Sequence, residues 1–585
     1  MVRGVNSSLI AMADAQRHTE AWQDKPWKKF QQVVFRLQKR IYRASQRDDQ
    51  RTVHKVQRLL LRSSAARHLA VRRVTQENQG KKTAGVDGIA SLKPNQRNRL
   101  AEDLRTLERK PQPVRRVYIP KANGEQRGLG IATMHDRAAQ TLVKLALEPE
   151  WEARFEPNSY GFRPGRSTHD ALSAIFKGVC QMPKYVLDAD IEKCFDQIEQ
   201  GALVRKLHTF GQLRRLIKAW LRAGVLDEDL FVPTRRGVPQ GGPLSPLLLN
   251  VALHGLEEHL CASVPRWKSR LYWRPSVIRY ADDLVILHRD LETLKHLKQE
   301  AEAWLAQIGL RFKPSKTRIT HTLDAYQGQV GFDFLGIEIR QYKVGKHRRG
   351  LQGSTGRYQT RCRPSKTAQK RHLAQMRGVI RAYRGRSQEA LIAKLNPIIR
   401  GWSRYYQHVG AARDLARMDH LLWYQLISWA KWRHRGKGRI WRVNRYWHRR
   451  GTRQVFAETA VLARHSDTRY ARHTKVQGQR SPFDGDWCYW GQRLRRYAGL
   501  PWGKGALLRR QQGKCTHCGL YLMASDRMEI HHLDGNRTNN TGSNRALVHL
   551  HCHDQVHGIL DKDHQTEEPD EAQVSCPVLE RQGAG

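Results

Sequence analysis

Two adjacent aspartates, Asp282 and Asp283, stand in the stretch VIRYADDLVILHR, residues 277 to 289. Neighbouring carboxylates repel each other and raise one another's pKa when they are partly buried, so the pair favours a bound cation. Short apolar runs with high β propensity flank the pair, which predicts a strand, a tight turn and a second strand. An isolated Asp-Asp pair is by itself more typical of a hairpin tip in which aspartate only supports the turn.

A second acidic group lies upstream, in YVLDADIEKCFDQI, residues 185 to 198. Its pattern predicts a strand followed by a helix, and on a strand Asp188 and Asp190 share one face. One of them can then meet the 282/283 pair across a sheet. Three carboxylates from two elements are the ligands of a two-metal phosphoryl-transfer site, in which two Mg²⁺ ions lie roughly 3.5 to 4 Å apart.

A third group of ligand-type residues lies near the C-terminus. Cys515 and Cys518 form a C-x-x-C pair, and His549 and Cys552 form an H-x-x-C pair. Four such ligands in two tight pairs predict a closed tetrahedral zinc site, which can stabilise a module of about 50 residues that is too small to fold on a core alone. The nine cysteines are otherwise scattered, so a metal is favoured here over a disulfide.

These groups must be positioned by several domains, because 585 residues suggest about three or four at roughly 150 residues each. Basic helices are predicted from Trp22 to Gln79, followed by a mixed α/β region that ends in the strand-like FDFLGIEI. A linker and a helical region from Arg371 to Trp432 come next. In that region Trp402, Tyr405 and Tyr406 have helical spacing, which predicts a bundle core.

The chain is very basic, with 104 Lys and Arg against 54 Asp and Glu. Such an excess indicates a polyanionic partner, and nucleic acid is favoured. The segment 339–388 has fifteen Lys or Arg and no acid, and the basic segment 433–453 interleaves Trp and Tyr. Charge combined with aromatic rings suits RNA or single strands better than a membrane surface.

No run of 18 apolar residues occurs, and the apolar part of the N-terminal MVRGVNSSLIAMADAQ is too short for a signal peptide. The expectation is a cytoplasmic protein without a membrane partner.

Taken together, RYADD, DIEKCFD and GVPQGGPLSPLLLN resemble the palm and fingers of reverse transcriptases of the bacterial group II intron type. RRVYIPKANGEQRGLGIAT, NSYGFRPGRSTHDAL and GLRFKPSKTRIT occur in the family's order, and LNPIIRGWSRYYQ resembles its thumb or maturase region. The resemblance extends over nearly the whole chain, and the ordered set is very specific. Gly128 and Ala132 replace prolines that are common in the family, which puts the rigidity of that fingers loop in doubt.

The resemblance implies that Asp190, Asp282 and Asp283 hold the two Mg²⁺ ions, with Asp188 behind them. It places Asp190 five residues before an aromatic ring, Phe195, that excludes a 2′-hydroxyl and so selects deoxynucleotides.

Four further residues match family positions at the nucleotide. Lys121 and Arg127 grip the triphosphate, Gln240 lies beside the incoming nucleotide, and Lys316 is suited to protonating pyrophosphate. The alternatives are that Phe195 is an ordinary helix-core residue and that Lys121 or Lys316 binds nucleic-acid backbone without a specific role.

The C-terminal module, with MEIHHLDGN and SNRALVHLHCHDQVHG, resembles HNH (ββα-metal) nucleases. The resemblance implies that His532 is the general base and Asn544 its orienting partner. His531, His553 and His557 then bind one divalent metal, Mg²⁺ or Mn²⁺. The alternative is a zinc module that binds DNA without cutting it.

The expected fold is a multidomain α/β (α+β) protein: a right-hand fingers and palm polymerase, a helical N-terminal extension, a helical thumb or maturase domain, and a small zinc-stapled ββα-metal HNH module. The expected boundaries are an RNA-binding extension at 1–79, fingers and palm at 80–340, linker and thumb at 341–450, a DNA-binding region at 451–509, the HNH module at 510–560 and an acidic tail at 561–585.

The implied function is that of a group II intron-encoded reverse transcriptase, maturase and endonuclease, a mobile-element protein that acts in retrohoming. Its implied partners are intron RNA, double-stranded target DNA and deoxynucleoside triphosphates, and its place is the bacterial cytosol, at the nucleoid when it acts. The alternatives are a splicing chaperone without catalysis and a defence-type reverse transcriptase. All three metal-binding aspartates are present, which favours catalysis.

Overall fold

The computed structural model describes residues 22–120, 126–228, 230–264, 274–344, 358–486, 489–490, 493, 502–522, 526 and 528–557. The expected triphosphate ligand Lys121 and the expected acidic tail, 561–585, lie outside the described residues. The same is true of residues 1–21 of the expected extension, 345–357 of the expected linker and 494–501 of the expected DNA-binding region.

Helices and strands are numbered along the chain. The helices are α1 (Trp27–Ser45), α2 (Gln50–Arg62), α3 (Ser64–Arg72), α4 (Pro94–Asp103), α5 (Met134–Arg154), α6 (Thr168–Val179), α7 (Cys194–Gln197), α8 (Gln200–Leu207), α9 (Gly211–Leu221), α10 (Ser245–Leu253), α11 (Leu256–Ala262), α12 (Leu291–Ala306), α13 (Lys366–Ala382), α14 (Gln388–Tyr406), α15 (Ala412–Arg433), α16 (Arg439–Tyr446), α17 (Trp502–Arg510) and α18 (Leu550–His557). The strands are β1 (Val114–Pro120), β2 (Gln126–Ile131), β3 (Tyr185–Asp190), β4 (Val225–Asp227), β5 (Leu230–Val232), β6 (Ser276–Tyr280), β7 (Asp283–His288), β8 (Arg318–His321), β9 (Phe332–Phe334), β10 (Ile337–Lys343), β11 (Tyr358–Pro364), β12 (Trp447–Arg450), β13 (Arg453–Phe456), β14 (Met528–His532) and β15 (Arg545–His549).

The N-terminal helices pack on the long helix α5. In α1 the apolar residues Leu37 and Ile41 are buried, as their spacing predicts. Two polar side chains of α1 also reach α5, where Gln38 donates to the Leu145 carbonyl (3.0 Å) and Ser45 to the Glu150 carbonyl (3.0 Å). The basic outer face of this unit is thereby fixed to the rest of the molecule.

A four-stranded antiparallel sheet with the order β6-β7-β3-β8 forms the palm. The predicted hairpin is confirmed as β6, a two-residue loop and β7. Residues 284 to 287 of β7 are fully buried, so both faces of the strand are covered. Helix α6 packs against β6, and α12 packs against β3 and β7.

A second sheet, with the order β2-β1-β4-β5, forms the fingers. Its β1–β2 hairpin carries the basic stretch that was expected to face a triphosphate. The main chain of Gly130 in β2 donates to the Gln240 carbonyl (2.7 Å), which ties this sheet to the loop before α10.

The expected linker is partly a β-hairpin, which corrects the sequence prediction. Strand β11 pairs along its whole length with β10, and β9 completes a three-stranded sheet. Cations alternate with other residues in β11, at Arg361 and Arg363. This alternation places cations where the polar positions of a half-buried strand are expected, but the acid-free segment was expected to be a linker that leads into the first thumb helix.

Helices α13, α14 and α15 form the thumb, with an apolar core of their own. Trp402, Tyr405 and Tyr406 are buried as predicted, each at most 5% exposed, but they belong to the core shared with the fingers and palm and not to the separate core of the thumb bundle. The two tyrosine hydroxyls also donate to the carbonyls of Leu335 (2.8 Å) and Gly336 (3.1 Å) after β9. The aromatic stripe therefore joins the thumb to the palm.

The chain then returns to the palm. We call the described residues between 470 and 493 the return segment. Its His473 ring (3.1 Å) and its Val476 main-chain N–H (2.8 Å) contact the carboxylate of Asp170 in α6, and Arg493 donates to both oxygens of that carboxylate. Arg493 thus belongs to an internal ion pair. The expected role of residues 451–509 in DNA binding therefore depends on the other Lys and Arg residues of that region.

The last described unit comprises α17, the antiparallel pair β14–β15 and α18, around a small core that includes Leu507, Leu508 and Leu547. A hairpin followed by a helix is the arrangement that the sequence predicted for this module. Within the described part of the chain, no helix is long and apolar enough to cross a membrane.

Candidate active site and metal centres

The palm hairpin brings the three aspartates to one end of the sheet. Tyr280 pairs with Asp283 across the hairpin, so Ala281 and Asp282 form the loop, and Ala281 adopts a left-handed backbone with φ of 57°. In the neighbouring strand, Asp190 lies directly opposite Asp283. The predicted meeting of the two acidic segments across a sheet is therefore confirmed.

A buried arginine holds the strained turn in place. Arg279 donates from Nη1 to the Ala281 carbonyl (3.3 Å) and to Asn250 Oδ1 (3.0 Å). Asn250 in turn donates to the Gly161 carbonyl (2.8 Å). Gly161 is required because a Cβ there would lie 2.3 Å from the Ala281 nitrogen. Backbone strain of this kind persists only where the surroundings over-determine it.

Lys316 lies against one of the three acids. The Lys313 main-chain N–H donates to the Asp190 carbonyl (2.8 Å), and the short turn Pro314–Lys316 then directs the Lys316 ammonium to 2.7 Å from Asp190 Oδ2. Partial burial opposes the charge on Lys316, but the ion pair with Asp190 outweighs it and raises the pKa of the lysine. Lys316 is therefore a protonated donor at neutral pH.

The carboxylate of Asp282 is electrostatically costly. Burial, followed by the negative charge of Asp190, raises the pKa of Asp282 to about 6, whereas Arg127 and Lys316 favour its ionised form. The site thus collects more negative charge than its own cations neutralise, which fits a divalent cation bound by oxygen ligands.

Asp188 occupies a different environment. It lies opposite Arg318 in β8, and the Arg318 guanidinium contacts its Oδ2 at 3.1 Å. Burial raises the pKa of Asp188 to about 6 despite this ion pair. The structure thus pairs Asp188 with Arg318, two residues before Asp190 in the same strand.

Arg127 and Gln240 meet between the fingers and the palm. Arg127 Nε donates to Gln240 Oε1 (2.8 Å), and Gln240 Nε2 donates to Asp196 Oδ1 (3.3 Å). Burial lowers the pKa of Arg127, and its charge is close enough to Asp282 to stabilise that carboxylate. Arg127 therefore lies close to Asp282, and Gln240 is joined to the site through its bond to Arg127.

Phe195 lies in the short helix α7, directly after β3. Its side chain is 8% exposed, and its ring centroid is 6.4 Å from that of Phe162 in an edge-to-face arrangement. Its carbonyl accepts from the Val238 main chain (2.6 Å), two residues before Gln240. The ring is thus packed, as the helix-core interpretation predicts, and its main chain contacts the loop that carries Gln240; exclusion of a 2′-hydroxyl by the ring stays a prediction.

Two compact groups of metal-binding side chains lie in the C-terminal module, and they are the described groups whose ligand atoms lie within 4.8 Å of one another. The first comprises Cys515, Cys518, His549 and Cys552, all buried. His549 Nδ1 lies 3.3 Å from Cys518 Sγ, so this nitrogen faces the sulfurs. Three sulfurs and one imidazole in a closed, buried arrangement suit zinc.

The second group consists of His531, His553 and His557. His531 comes from β14 and the other two from α18, one helical turn apart, and His531 Nδ1 lies 3.1 Å from His557 Nε2. Glu529, on the same strand face as His531, contacts His553 Nδ1 at 2.9 Å. This group is more exposed than the first, which is typical of a site open to substrate.

His532 and Asn544 lie at the two ends of the loop that joins β14 to β15. Within the described residues, His532 Nε2 is buried without a hydrogen-bond partner. The Asn544 amide donates to Asp534 (2.8 Å) and to the Asn539 carbonyl (2.9 Å), and it accepts from the Asp534 main chain (3.0 Å). Asn544 therefore fixes the loop that follows His532.

Three family models match the chain. "N-terminal domain of reverse transcriptase" matches residues 22–104, "Reverse transcriptase (RNA-dependent DNA polymerase)" matches 119–339, and "Group II intron, maturase-specific domain" matches 369–447. Protein YkfC of Escherichia coli strain K12 is 33% identical over 325 residues, which cover 49% of this chain and 83% of YkfC. The chain belongs to the group II intron reverse transcriptase/maturase family.

Other relatives agree with this assignment. The group II intron-encoded protein LtrA of Lactococcus lactis subsp. cremoris is 32% identical over 252 residues, which cover 41% of each chain. Maturase-like protein 1 of Euglena gracilis is 27% identical over 405 residues, 68% of this chain and 79% of the relative. The match to LtrA thus spans less than half the length of that relative, and the three matched domains end before the C-terminal module.

Sequence reasoning missed the residues that hold this reverse transcriptase site together. Asn250 and Gly161 lie inside motifs that the sequence analysis singled out, but no role was assigned to them. Arg279 had a usable signal, because a cation one residue before Tyr280, in an apolar strand, needs an internal partner. Glu529 had a weaker signal, the two-residue spacing from His531 that puts both on one strand face.

Asp282→Asn is expected to stabilise the protein at pH 7 without added Mg²⁺. The folded pKa of about 6 exceeds the value of about 3.9 in an unfolded chain, so the stability due to this group is lost as the pH rises from about 4 to 6. The uncharged amide avoids this loss. The denaturation midpoint of the variant, and with it the free energy of unfolding, should therefore exceed that of the wild type at pH 7, and the difference should be smaller at pH 4.5.

The matched control is Asp324→Asn, the same substitution at a side chain that is 62% exposed. It should change the free energy of unfolding by less than about 0.5 kcal/mol at either pH. A midpoint for Asp282→Asn that is unchanged or lower at pH 7 would contradict the electrostatic account.

Zinc is the expected metal of the cysteine group, and Cys518→Ser should remove most of it, because a closed site that loses one thiolate loses its affinity. Elemental analysis of the purified full chain measures the loss, and limited proteolysis should show cleavage between residues 502 and 557. Cys180→Ser, at a half-buried cysteine outside the group, should keep both zinc content and protease resistance. Equal zinc in the two variants would show that the four residues do not form the site.

Proposed function

We propose that this chain is an RNA-directed DNA polymerase whose active centre is formed by Asp190, Asp282 and Asp283. The observation that carries the proposal is the convergence of these acids at one sheet end, with Lys316 against Asp190 and Arg127 near Asp282. When bound there, Mg²⁺ activates the primer 3′-hydroxyl and neutralises the charge that develops on pyrophosphate.

The protein's own groups supply positioning and a proton. Lys316, held in its charged form, can donate a proton to the leaving pyrophosphate. Arg127, oriented by its bond to Gln240, presents the rest of its guanidinium to phosphate oxygens. Phe195 closes the space beside Gln240 and disfavours a nucleotide with a 2′-hydroxyl. Lys121 is proposed as a second phosphate contact from its motif alone.

The maturase-specific domain implies a partnership with group II intron RNA. The proposed role is to assist splicing by binding and folding that RNA, and to copy it during retrohoming in the bacterial cytoplasm. Helices α13 to α15 and the basic N-terminal helices offer large cationic surfaces for it. A chaperone without polymerase activity is the rival proposal, and the intact acid cluster argues against it.

A second activity, nicking of double-stranded DNA, is proposed for the C-terminal module. The observation that favours it is the trio of His531, His553 and His557, separate from the cysteine group and more exposed. A divalent cation held there would stabilise charge on the scissile phosphate. His532 Nε2, which is buried and has no hydrogen-bond partner among the described residues, is the proposed acceptor of a proton from water. The freed 3′ end would prime cDNA synthesis.

The polymerase proposal predicts template-length cDNA from a DNA primer annealed to an RNA template, with Mg²⁺ and deoxynucleotides. Asp282→Asn should reduce extension below detection, whereas Asp324→Asn should not change it. The same variants are assayed for intron splicing, which Asp282→Asn should retain because it depends on binding. Absence of cDNA from the wild type, with RNA binding intact, would favour the chaperone. Loss of splicing in folded Asp282→Asn would refute the division between binding and chemistry.

The nuclease proposal predicts that His532→Ala abolishes nicking of supercoiled DNA containing the target site while zinc content and primer extension persist. The general base contributes about 10²- to 10⁴-fold to the rate in typical enzymes. The nicking rate of His532→Ala should therefore be at least about 10²-fold below that of the wild type. Leu533→Ala, at a neighbour that is 58% exposed, is the control and should nick normally. Nicking by His532→Ala at the wild-type rate would remove the proposed base.

A further inference from the structure

A large cleft lies on the side of the palm that carries α6. It is bounded by α6, strand β11, the start of α15 and the return segment, and its volume is about 1130 Å³. This volume exceeds the range of about 300 to 1,000 Å³ that is usual for small-molecule sites. The cleft therefore has room for a polymer segment.

Its lining is strongly cationic. Six of the described residues that line it are Lys or Arg, and one, Asp414, is acidic. The six cations are Lys177, Arg361, Arg363, Arg413, Arg472 and Lys475. Of these, Arg363 is paired with Glu338 (2.9 Å), whereas Lys177, Arg361, Arg413 and Arg472 are exposed along the opening. Cations from four separate elements around one opening suit a string of phosphates.

Three imidazole rings form the floor of the cleft. The rings of His169, His408 and His473 lie together there, with centroids 4.8 to 5.7 Å apart. Burial lowers the pKa of His169 to about 3 and that of His408 to about 4, so these two rings are neutral at physiological pH. The floor offers flat rings, and the rim offers the charge.

An exposed aromatic ring completes the opening. The Tyr470 side chain is 57% exposed and lies two residues before Arg472. Exposed aromatic rings next to cations are the elements on which unpaired bases stack. A double helix would hide its base faces from such a ring, so an unpaired strand fits better.

The walls are fixed before any ligand binds. The Ala471 main chain donates to the Gln407 carbonyl at the end of α14 (2.9 Å), and Val476 is tied to Asp170. The Gly410 main chain donates to the Cys362 carbonyl of β11 (3.0 Å). Preformed walls reduce the conformational entropy that is lost on binding.

We propose that this cleft binds a short segment of single-stranded nucleic acid, with phosphates on the cationic rim and a base on Tyr470. The site lies beside α6, away from the acid cluster at the end of β3. The proposal does not depend on polymerase or nuclease activity, because binding needs neither a primer nor a metal. The strand can be unpaired RNA or unpaired DNA, since both present the same backbone charge and base faces.

The test is photocrosslinking of the full-length protein to two primer-free probes, with the crosslinked residues mapped by mass spectrometry. One probe is a 4-thiouridine oligoribonucleotide and the other a 4-thiothymidine oligodeoxynucleotide. Crosslinks at Tyr470 or its cleft neighbours are expected with at least one probe. RNA-only, DNA-only and shared crosslinks would identify the source as RNA, DNA or both. Crosslinks confined to other surfaces with both probes would overturn the proposal.

Charge reversal separates this site from the general basicity of the protein. Arg413→Glu with Arg472→Glu should lower the Tyr470 crosslink at least fivefold. The matched pair, Arg417→Glu with Arg469→Glu, makes the same charge change on α15 and beside the return segment at exposed residues that do not line the cleft. An equal loss in both pairs would refute a defined site.

A third variant leaves every charge intact. The measurement is the acetylation of Lys475, which a bound oligonucleotide without the thio label should slow. Tyr470→Ala should weaken this protection about fivefold or more. Tyr470→Phe should restore it, because the ring face is what the base contacts. Equal protection in Tyr470→Ala and the wild type would remove stacking from the proposal.

Discussion

Three like charges must be held near one another, and much of the palm is arranged around that constraint. The paired register of β3 and β7 places Asp190 opposite Asp283, and the left-handed Ala281 places Asp282 beside them. Each of these positions has a cost in repulsion or backbone strain. The cost is offset by the rigid surroundings that Arg279 ties together, rather than by any single contact at the acids.

The parts of this site with a local signal were predictable. Alternating and continuous apolar runs predicted β6, β7 and β3, and the two-residue repeat of a strand put Asp188 and Asp190 on one face. The Cys and His spacing likewise predicted the cysteine group, the resemblance to HNH nucleases implied a second group, and the structure gathers them as two separate groups. In both cases the local pattern placed neighbouring residues on one element, such as Asp188 with Asp190 and Cys515 with Cys518.

What could not be predicted depends on contacts between distant residues. The hydrogen bonds of Asn250 with Arg279 and Gly161 join three sequence motifs. Each motif can be recognised by itself, but none of them indicates which other motif it contacts. The pairing of β11 was not predicted, because its outward positions are cations and the acid-free segment that contains it was expected to be a linker. The return segment has no periodic pattern at all, and contacts between distant residues, such as the burial of Arg493 against Asp170, show that it belongs to the palm.

That last pair has a consequence for synthesis of the protein. Asp170 is fully buried, and the guanidinium that neutralises it lies 323 residues later in the chain. At about 5 to 20 residues per second, a ribosome needs roughly 16 to 65 seconds to make Arg493 after Asp170 has been made. During that interval α6 has to keep a hydrated carboxylate on a surface that is later covered. The palm of a nascent chain is therefore incomplete until the thumb has been translated, and premature termination leaves it with an exposed, charged seam.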